Sequence, residues 1–135
     1  MKFDNAIYPT SEQIAELRSD SSREPIVMLN LLKFRARAQY TDSRETNLTG
    51  AEAYNLYAQQ MRSIVERAGG RFLFAGDIRS VVVGDVSNVW DVVALVEYPS
   101  PEAFARIATA PEVAEIGVHR AAGLEGQLLI RVSQR

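Results

Sequence analysis

A long amphipathic helix near the middle of the chain is the strongest structural signal in the sequence. Thr49 and Glu52 have the spacing of a capping box, which satisfies free backbone amides at the start of a helix. Gly69-Gly70 predicts the end of this helix, because glycine readily adopts the left-handed conformation that closes a last turn. Between these signals, apolar residues recur at spacings of three and four, which indicates one buried helical face: Tyr54, Tyr57, Ala58, Met61, Ile64, Val65 and Ala68.

Strand signals lie on both sides of this helix. Residues 26–34 are β-branched at the start and apolar at both alternating positions, which is typical of a strand covered on both faces. Residues 71–83 are predicted to form a long strand with a bend near Gly76-Asp77, and residues 89–98 form the next strand. Turn residues at 84–88 predict that the two form a hairpin. A last strand is predicted for residues 127–132.

Shorter helices are predicted around these strands. Thr10 opens a second capping box near the N-terminus, and Ser100 is a suitable N-cap with Pro101 at the first helical position. Pro111 ends the helix that follows Ser100, and a further short helix is predicted for residues 112–122. The main elements therefore follow the order β-α-β-β-α-β.

This order is typical of a ferredoxin-like α+β fold, in which two helices cover one face of a four-stranded antiparallel sheet. The predicted strands are nevertheless apolar on both faces, and a bare apolar face of that size would be an association site. We therefore expect a homodimer that forms through the sheet faces. Alternatively, the N-terminal segment or the polar loop at residues 35–48, which is also the best candidate for a mobile flap, covers the second face.

Length and composition indicate one domain spanning residues 1–135, with residues 1–25 as a lead-in that contains a short helix. The chain has no cysteine and one histidine, which excludes thiolate metal centres and a two-histidine metal site within one chain. The formal net charge of −2 makes nucleic acid a poor candidate partner. Neither a signal peptide nor a membrane-spanning apolar run is visible, so we expect a cytoplasmic protein without a membrane partner.

Two polar residues within apolar strands are candidates for chemistry. Asn30 would need hydrogen-bond partners if buried, so it either orients a ligand or pairs with a loop backbone or a neighbouring side chain. Glu97 follows two apolar residues on one strand face and, if desolvated, could act as a general base. The structural alternative for Glu97 is a salt bridge to Arg71 or Arg120.

Four further residues complete the candidate site. His119 could act as a general acid–base, and Arg120 could bind a carboxylate or an enolate through two nitrogens. Only one of these two helical neighbours can point inward, and the spacing of Arg120 from Val113 and Ile116 favours Arg120. Tyr57 and Trp90 could line a ligand site, although such aromatic residues are more often part of the core.

The sequence resembles the bacterial family called "domain of unknown function 1330". The resemblance runs from about Pro25 to Leu129. The segments that carry it are VMLNLLKF at 27–34, AGGR at 68–71, WD at 90–91, VEYPS at 96–100 and HRAAGL at 119–124.

This resemblance implies a fold and an assembly. The family is part of the dimeric α+β barrel superfamily, in which the sheets of two chains close into a barrel. The wider superfamily includes cofactor-independent monooxygenases, isomerases, haem-degrading enzymes and dye-decolourising peroxidases. Haem-degrading relatives have an asparagine and a tryptophan at about the positions of Asn30 and Trp90. They also carry a haem-binding histidine on the following helix, which residues 100–110 of this chain do not provide, so we expect no cofactor and no metal.

Three functional hypotheses follow. The first is a cofactor-independent oxygenase or isomerase for a small aromatic or enolic substrate, with catalytic Glu97, Arg120 and His119 and with Asn30 and Tyr57 binding the ligand beside Trp90. The second is a protein that binds such a ligand without turnover. The third is a structural dimer, which predicts that Glu97 pairs with Arg120 and that the interior holds no cavity.

Overall fold

The computed structural model describes residues 6–86 and 89–135. Within these residues the chain forms four helices and four strands. In chain order they are α1 Ser11–Ser19, β1 Ile26–Phe34, α2 Gly50–Arg67, β2 Arg71–Asp77, β3 Val92–Tyr98, α3 Pro101–Ala108, α4 Pro111–Gly123 and β4 Leu124–Val132. The predicted β-α-β-β-α-β order is confirmed, with α1 preceding it and the second helical region divided into α3 and α4.

The four strands form one antiparallel sheet in the order β2-β3-β1-β4. This is the ferredoxin-like α+β arrangement that the sequence predicts. Strand β1 lies inside the sheet and pairs with both β3 and β4, so Asn30 has Ala94 on one side and Leu129 on the other. Strands β2 and β4 are the edges.

Local capping signals have the predicted geometry. The Thr49 side chain accepts from the Glu52 amide at 3.1 Å, and the Glu52 carboxylate accepts from the Thr49 amide at 2.9 Å. Helix α2 ends where Gly69 adopts a positive φ of 89° and the Gly70 amide donates to the Val65 carbonyl at 2.9 Å. These contacts satisfy free backbone groups at both ends of the helix.

Strand β2 is shorter than predicted. It ends at Asp77 rather than at residue 83, and Val82 and Val83 are 90% and 92% exposed. The ladder ends because β3 begins only at Val92, and β-branched residues form a strand only where a neighbouring strand pairs with them. The predicted turn at 84–88 includes Ser87 and Asn88, which lie outside the described residues. Strand β4 begins earlier than predicted, at Leu124, directly after α4.

The core lies between the sheet and the helices. Strands β1 and β3 direct alternate residues toward α2, α3 and α4. The buried members of this cluster are Ile26, Met28, Met61, Ile64, Val65, Val96, Tyr98, Ile107, Val113 and Ile116.

The opposite sheet face is open within the described chain and is apolar except at the Glu97–Arg71 ion pair. Leu29 pairs with Leu95 and Ile130, and directly paired residues of antiparallel strands share a face. Ile130 is 45% exposed, and Phe74 on the same face is 57% exposed. The alternative covers predicted from the sequence lie elsewhere: residues 6–8 contact Arg120 and Gln127, and the loop at 35–48 contacts α4.

Candidate functional site

A hydrogen-bonded group of side chains links α4, β4 and β1 on the helix side of the sheet. Arg120 Nη1 donates to Gln127 Oε1 at 2.8 Å, and Gln127 Nε2 donates to Asn30 Oδ1 at 3.0 Å. Asn30 Nδ2 in turn donates to the carbonyls of Met28 and Ala94 at 3.3 and 3.4 Å. These bonds orient both amides, and we call Asn30, Arg120 and Gln127 the Arg120 network.

The elements explain why these side chains meet. Arg120 follows Val113 and Ile116 on the buried side of α4, as the helical spacing predicts. Gln127 of β4 pairs with Leu32 of β1, and Asn30 lies two residues before Leu32 in β1. Residues two apart in a strand share a face, so both amides lie beneath α4.

Three tyrosines lie on the helix side of the sheet: Tyr98 is buried, and Tyr54 and Tyr57 are half-buried. Burial raises the pKa of Tyr54, Tyr57 and Tyr98, so their hydroxyls are neutral at physiological pH. The positive charge of Arg120 acts against this increase in the pKa of Tyr54 and Tyr57. The rings of Tyr54 and Tyr57 are 5.5 Å apart. Among the described residues, none of the three hydroxyls donates a hydrogen bond.

The guanidinium of Arg120 has only neutral partners among residues 6–86 and 89–135. Both hydrogen bonds of the Arg120 side chain are donated by Nη1. One goes to Gln127 Oε1 and the other to the Ile7 carbonyl, at 2.7 Å. No described carboxylate lies within ion-pair distance of it. A half-buried guanidinium of this kind can bind an anionic oxygen through charge-assisted hydrogen bonds.

Residues 6–8 run along the β4 edge of this region. The backbone amide of Gln127 donates to the Ala6 carbonyl at 3.1 Å. The centre of the Tyr8 ring lies 5.2 Å from the guanidinium carbon of Arg120. Sequence reasoning missed both this segment and Gln127. A polar residue at the start of an otherwise apolar strand was the one available signal for Gln127.

Glu97 lies apart from the Arg120 network. It pairs in the sheet with Val27 and Arg71, on the face opposite to Asn30. Its carboxylate accepts from Arg71 Nε at 2.9 Å. The salt bridge to Arg71 named in the sequence analysis is therefore present, whereas the Glu97–Arg120 pair expected for a purely structural dimer is not formed.

His119 faces the loop at residues 35–48. Its Nδ1 lies 2.7 Å from the Tyr40 hydroxyl, and the two rings meet edge to face with centroids 5.6 Å apart. The guanidinium carbon of Arg44 lies over the Tyr40 ring, 4.4 Å from its centre. Adjacent helical residues point about 100° apart, which explains why His119 is separated from Arg120.

Trp90 is buried two residues before β3, with 8% of its surface exposed. The neighbouring Asp91 holds the end of β1, because its carboxylate accepts from the Phe34 amide at 2.8 Å and from Lys33 Nζ at 3.4 Å. The structure therefore brings Asn30, Arg120 and Tyr57 to one region, keeps Trp90 in the core, and places Glu97 and His119 elsewhere.

Two open surface depressions lie away from the Arg120 network. One, of about 490 Å³, is lined by Arg37, Glu45, Thr46 and Asn47 in the loop at 35–48. The other, of about 520 Å³, lies beside the Asp20–Arg131 ion pair. Neither depression is lined by Asn30 or Arg120, where the sequence analysis places a ligand site.

Two further features bear on function. The described residues contain no group of three or more His, Cys, Asp or Glu side chains arranged to hold a metal ion. No described helix is long and apolar enough to cross a membrane.

The fold and this polar group define a ferredoxin-like α+β protein with an arginine-centred candidate site. The family described as "Domain of unknown function (DUF1330)" matches residues 36–132, and the chain belongs to that family. The resemblance inferred from the sequence is thereby confirmed.

Solved structures agree with this assignment. RPA0582, a protein of unknown function from Rhodopseudomonas palustris, is 36% identical with a TM-score of 0.88, and the alignment covers 98% of each chain. The methylated form of RPA0582 is 39% identical with a TM-score of 0.89, over 97% of this chain and 96% of that one.

A more distant structure shares the fold alone. SnoaB, a cofactor-independent oxygenase from Streptomyces nogalater, is 14% identical with a TM-score of 0.50, and the alignment covers 83% of this chain and 96% of that one. Among curated proteins, no significant match was found.

Proposed function

We propose that the protein binds a small aromatic or enolic anion at Arg120 and acts on it as a cofactor-independent oxygenase or isomerase. The observation that carries the proposal is the position of the Arg120 guanidinium. It lies on α4, whose end packs against Tyr54 of α2, is oriented by Gln127, and has no carboxylate partner among the described residues. A cation held in this way favours a ligand that brings the negative charge.

Each residue of the site has a role in this proposal. Arg120 stabilises the negative oxygen of the ligand, and Tyr57 and Tyr54 donate hydrogen bonds from neutral hydroxyls. Asn30 and Gln127 orient the guanidinium and do not contact the ligand directly, because their side-chain amides are already hydrogen-bonded to each other. Glu97 and His119 are not part of this site, and Trp90 contributes to the core beside it.

An enolate connects the two proposed reactions. Isomerisation of a carbonyl compound passes through an enolate, and electron-rich enolates or phenolates are the substrates that react with oxygen without a cofactor. Stabilising that anion would lower the barrier to either reaction. SnoaB, which shares the fold, is a cofactor-independent oxygenase, so the proposed oxygenase activity is compatible with this fold. A shared fold is by itself weak evidence for a shared activity.

A non-catalytic ligand-binding protein is the second candidate. One observation favours it: neither of the two predicted proton-transfer groups contacts the Arg120 network. Glu97 lies on the other sheet face, and His119 is bonded to Tyr40. A site without a general base can bind a molecule that is already anionic but has no group to deprotonate a neutral one.

We also propose that two copies of the chain associate through their open sheet faces. The apolar residues around Leu29, Leu95 and Ile130 support this assembly, since exposed apolar patches of this kind are typical of interfaces. A purely structural dimer would use the same contact, so dimer formation does not distinguish it from an enzyme or a ligand-binding protein. The ligand-binding experiment below makes that distinction.

The test uses planar enolic and phenolic compounds, with salicylate as the reference anion and salicylamide as its neutral match. Binding is measured by calorimetry, and products are measured by mass spectrometry after incubation under ¹⁸O₂. Two variants are compared with the native chain: Arg120→Gln, which removes the proposed cation, and Glu97→Gln, which removes the alternative catalytic group.

The enzyme proposal predicts a product, either an ¹⁸O-labelled one or an isomer of unchanged mass, which is lost in Arg120→Gln and retained in Glu97→Gln. Binding without product, with the same dependence on Arg120, would establish the second candidate. Binding that survives Arg120→Gln, or an activity lost in Glu97→Gln, would overturn the assignment of the site.

A further inference from the structure

The N-terminal residues 6–10 contact the Arg120 site at three points. The Ala6 carbonyl accepts from the Gln127 amide at 3.1 Å, and the Ile7 carbonyl accepts from Arg120 Nη1 at 2.7 Å. The Tyr8 ring lies against the same guanidinium, at 5.2 Å from its carbon. We call residues 6–10 the strap.

The strap is held firmly at one end and weakly along its length. Thr10 caps α1, and Leu17 of that helix packs against the main core. Asp20, directly after α1, forms an ion pair with Arg131 of β4. Within the strap, by contrast, Ala6 is exposed, Tyr8 is 63% exposed and only Ile7 is half-buried, so little apolar surface keeps the strap closed. Segments with few buried contacts open at low free-energy cost.

The partner that the strap offers to Arg120 is a neutral one. A backbone carbonyl satisfies a guanidinium hydrogen, but an anionic oxygen binds it about twice as strongly. The Ile7 carbonyl therefore holds a position at Nη1 that a ligand anion would fill better. The half-buried state of Arg120 agrees with partial cover by the strap.

We propose that the strap closes the Arg120 site and that a ligand's anionic oxygen takes the place of the Ile7 carbonyl, which releases the strap. The chemistry of the ligand in this inference rests on the proposed function. The closure of the site by the strap rests only on the contacts described above. Because binding and strap opening are then coupled, any change that weakens the strap strengthens binding of the anion by the same factor.

Amide hydrogen exchange at Gln127 reports the state of the strap. Strand β4 is an edge strand, and the Gln127 amide is protected by the Ala6 carbonyl. The Tyr8→Ala variant removes the ring contact with Arg120 and should speed exchange at Gln127 about two- to fivefold, the factor expected for one exposed cation–π contact. The Tyr8→Phe variant keeps the ring and should exchange like the native chain. Tyr8 is exposed, so neither variant threatens folding, and the amide of Leu29 in the inner strand β1 serves as an internal control.

Addition of salicylate to the full-length protein tests the displacement. Bound salicylate should speed exchange at Gln127, and its affinity should be about two- to fivefold higher for Tyr8→Ala than for Tyr8→Phe. Neutral salicylamide should change neither quantity.

The outcomes separate the two proposals. Unchanged exchange at Gln127 in Tyr8→Ala would overturn the strap, and so would slower or unchanged exchange with salicylate bound. If salicylate binds nowhere, the ligand class of the proposed function is wrong, while the exchange rates of the two Tyr8 variants still decide whether the strap closes the site.

Discussion

Gly50 and Gly123 pack backbone against backbone where α2 begins and α4 ends. A β-carbon on Gly50 would lie 2.6 Å from the Gly123 carbonyl oxygen, and one on Gly123 would lie 2.8 Å from the Tyr54 amide nitrogen. The contact brings α4 close to α2, and Arg120 lies one turn of α4 before it. It thereby helps to set the distance between Arg120 and the two tyrosines of α2.

Substitution of Gly123 by alanine should therefore destabilise the fold. We expect a loss of about 2–3 kcal/mol in the free energy of unfolding, as for other overpacked sites, because the neighbours are backbone atoms that cannot rotate away. Gly117→Ala is a matched control in the same helix, since nothing lies within 4 Å of its added β-carbon. That control should stabilise the protein by up to about 1 kcal/mol through helix propensity. Urea unfolding measures both, and equal effects of the two variants would contradict the proposed backbone contact.

Replacement of Gln127 by leucine should also destabilise the fold. The change leaves Asn30 Oδ1 and one Arg120 hydrogen without their partners, and unsatisfied half-buried groups cost about 1–3 kcal/mol. A double variant, Asn30→Leu with Gln127→Leu, should recover part of this loss, because one of the unpaired groups is then removed. Unfolding free energies of the two single variants and the double variant measure the coupling, and strict additivity would show that the two amides do not interact.

Introduction of a charge on the open sheet face should prevent association. In Ile130→Glu a carboxylate replaces an apolar side chain that is 45% exposed in the single chain, and burial of that charge in a dimer would be strongly unfavourable. Leu56→Glu provides a matched control on α2, where the native leucine is 40% exposed. Light scattering after gel filtration should give twice the chain mass for the native protein and for the control, and the chain mass for Ile130→Glu. A native protein that elutes as a monomer would remove the basis for the dimer.

Stability should fall at high pH because of the buried tyrosines. Burial raises the pKa of Tyr54 and Tyr98 above the usual tyrosine value near 10. The unfolded chain therefore loses these protons before the folded chain does. The contribution is complete below about pH 10 and is lost as the pH rises toward the raised values of the folded state, with a slope of up to about 1.4 kcal/mol per pH unit for each tyrosine.

The Tyr54→Phe variant tests this dependence. It removes one of the ionising groups, so its unfolding free energy should decrease less steeply between about pH 9 and about pH 11 than that of the native chain. Urea unfolding at a series of pH values gives the two slopes. Identical slopes would show that Tyr54 ionises equally in the folded and unfolded chains.

Local signals in the sequence predicted the order of the elements correctly. The capping box at Thr49, the glycine pair at 69–70 and the periodicity between them depend on neighbours a few residues apart, so they can be identified without a structure. The end of β2 could not be predicted in the same way, because the length of a strand depends on where its partner strand begins.

The candidate site shows the same division. The inward direction of Arg120 follows from helical spacing and was predicted, and so was a salt bridge between Glu97 and Arg71 as one alternative. The partners Gln127 and Ile7 are separated from Arg120 by a change of element and by 113 residues, respectively, and sequence spacing does not determine contacts of that kind.

The sequence by itself thus determined which segments become helices and strands and which of their faces are apolar, since these properties depend on short-range spacing. Only the tertiary structure decided that Asn30 and Arg120 share one face while Glu97 lies on the other. The physical reason is that strand register assigns each side chain to a face of the sheet, and register depends on pairing between distant strands.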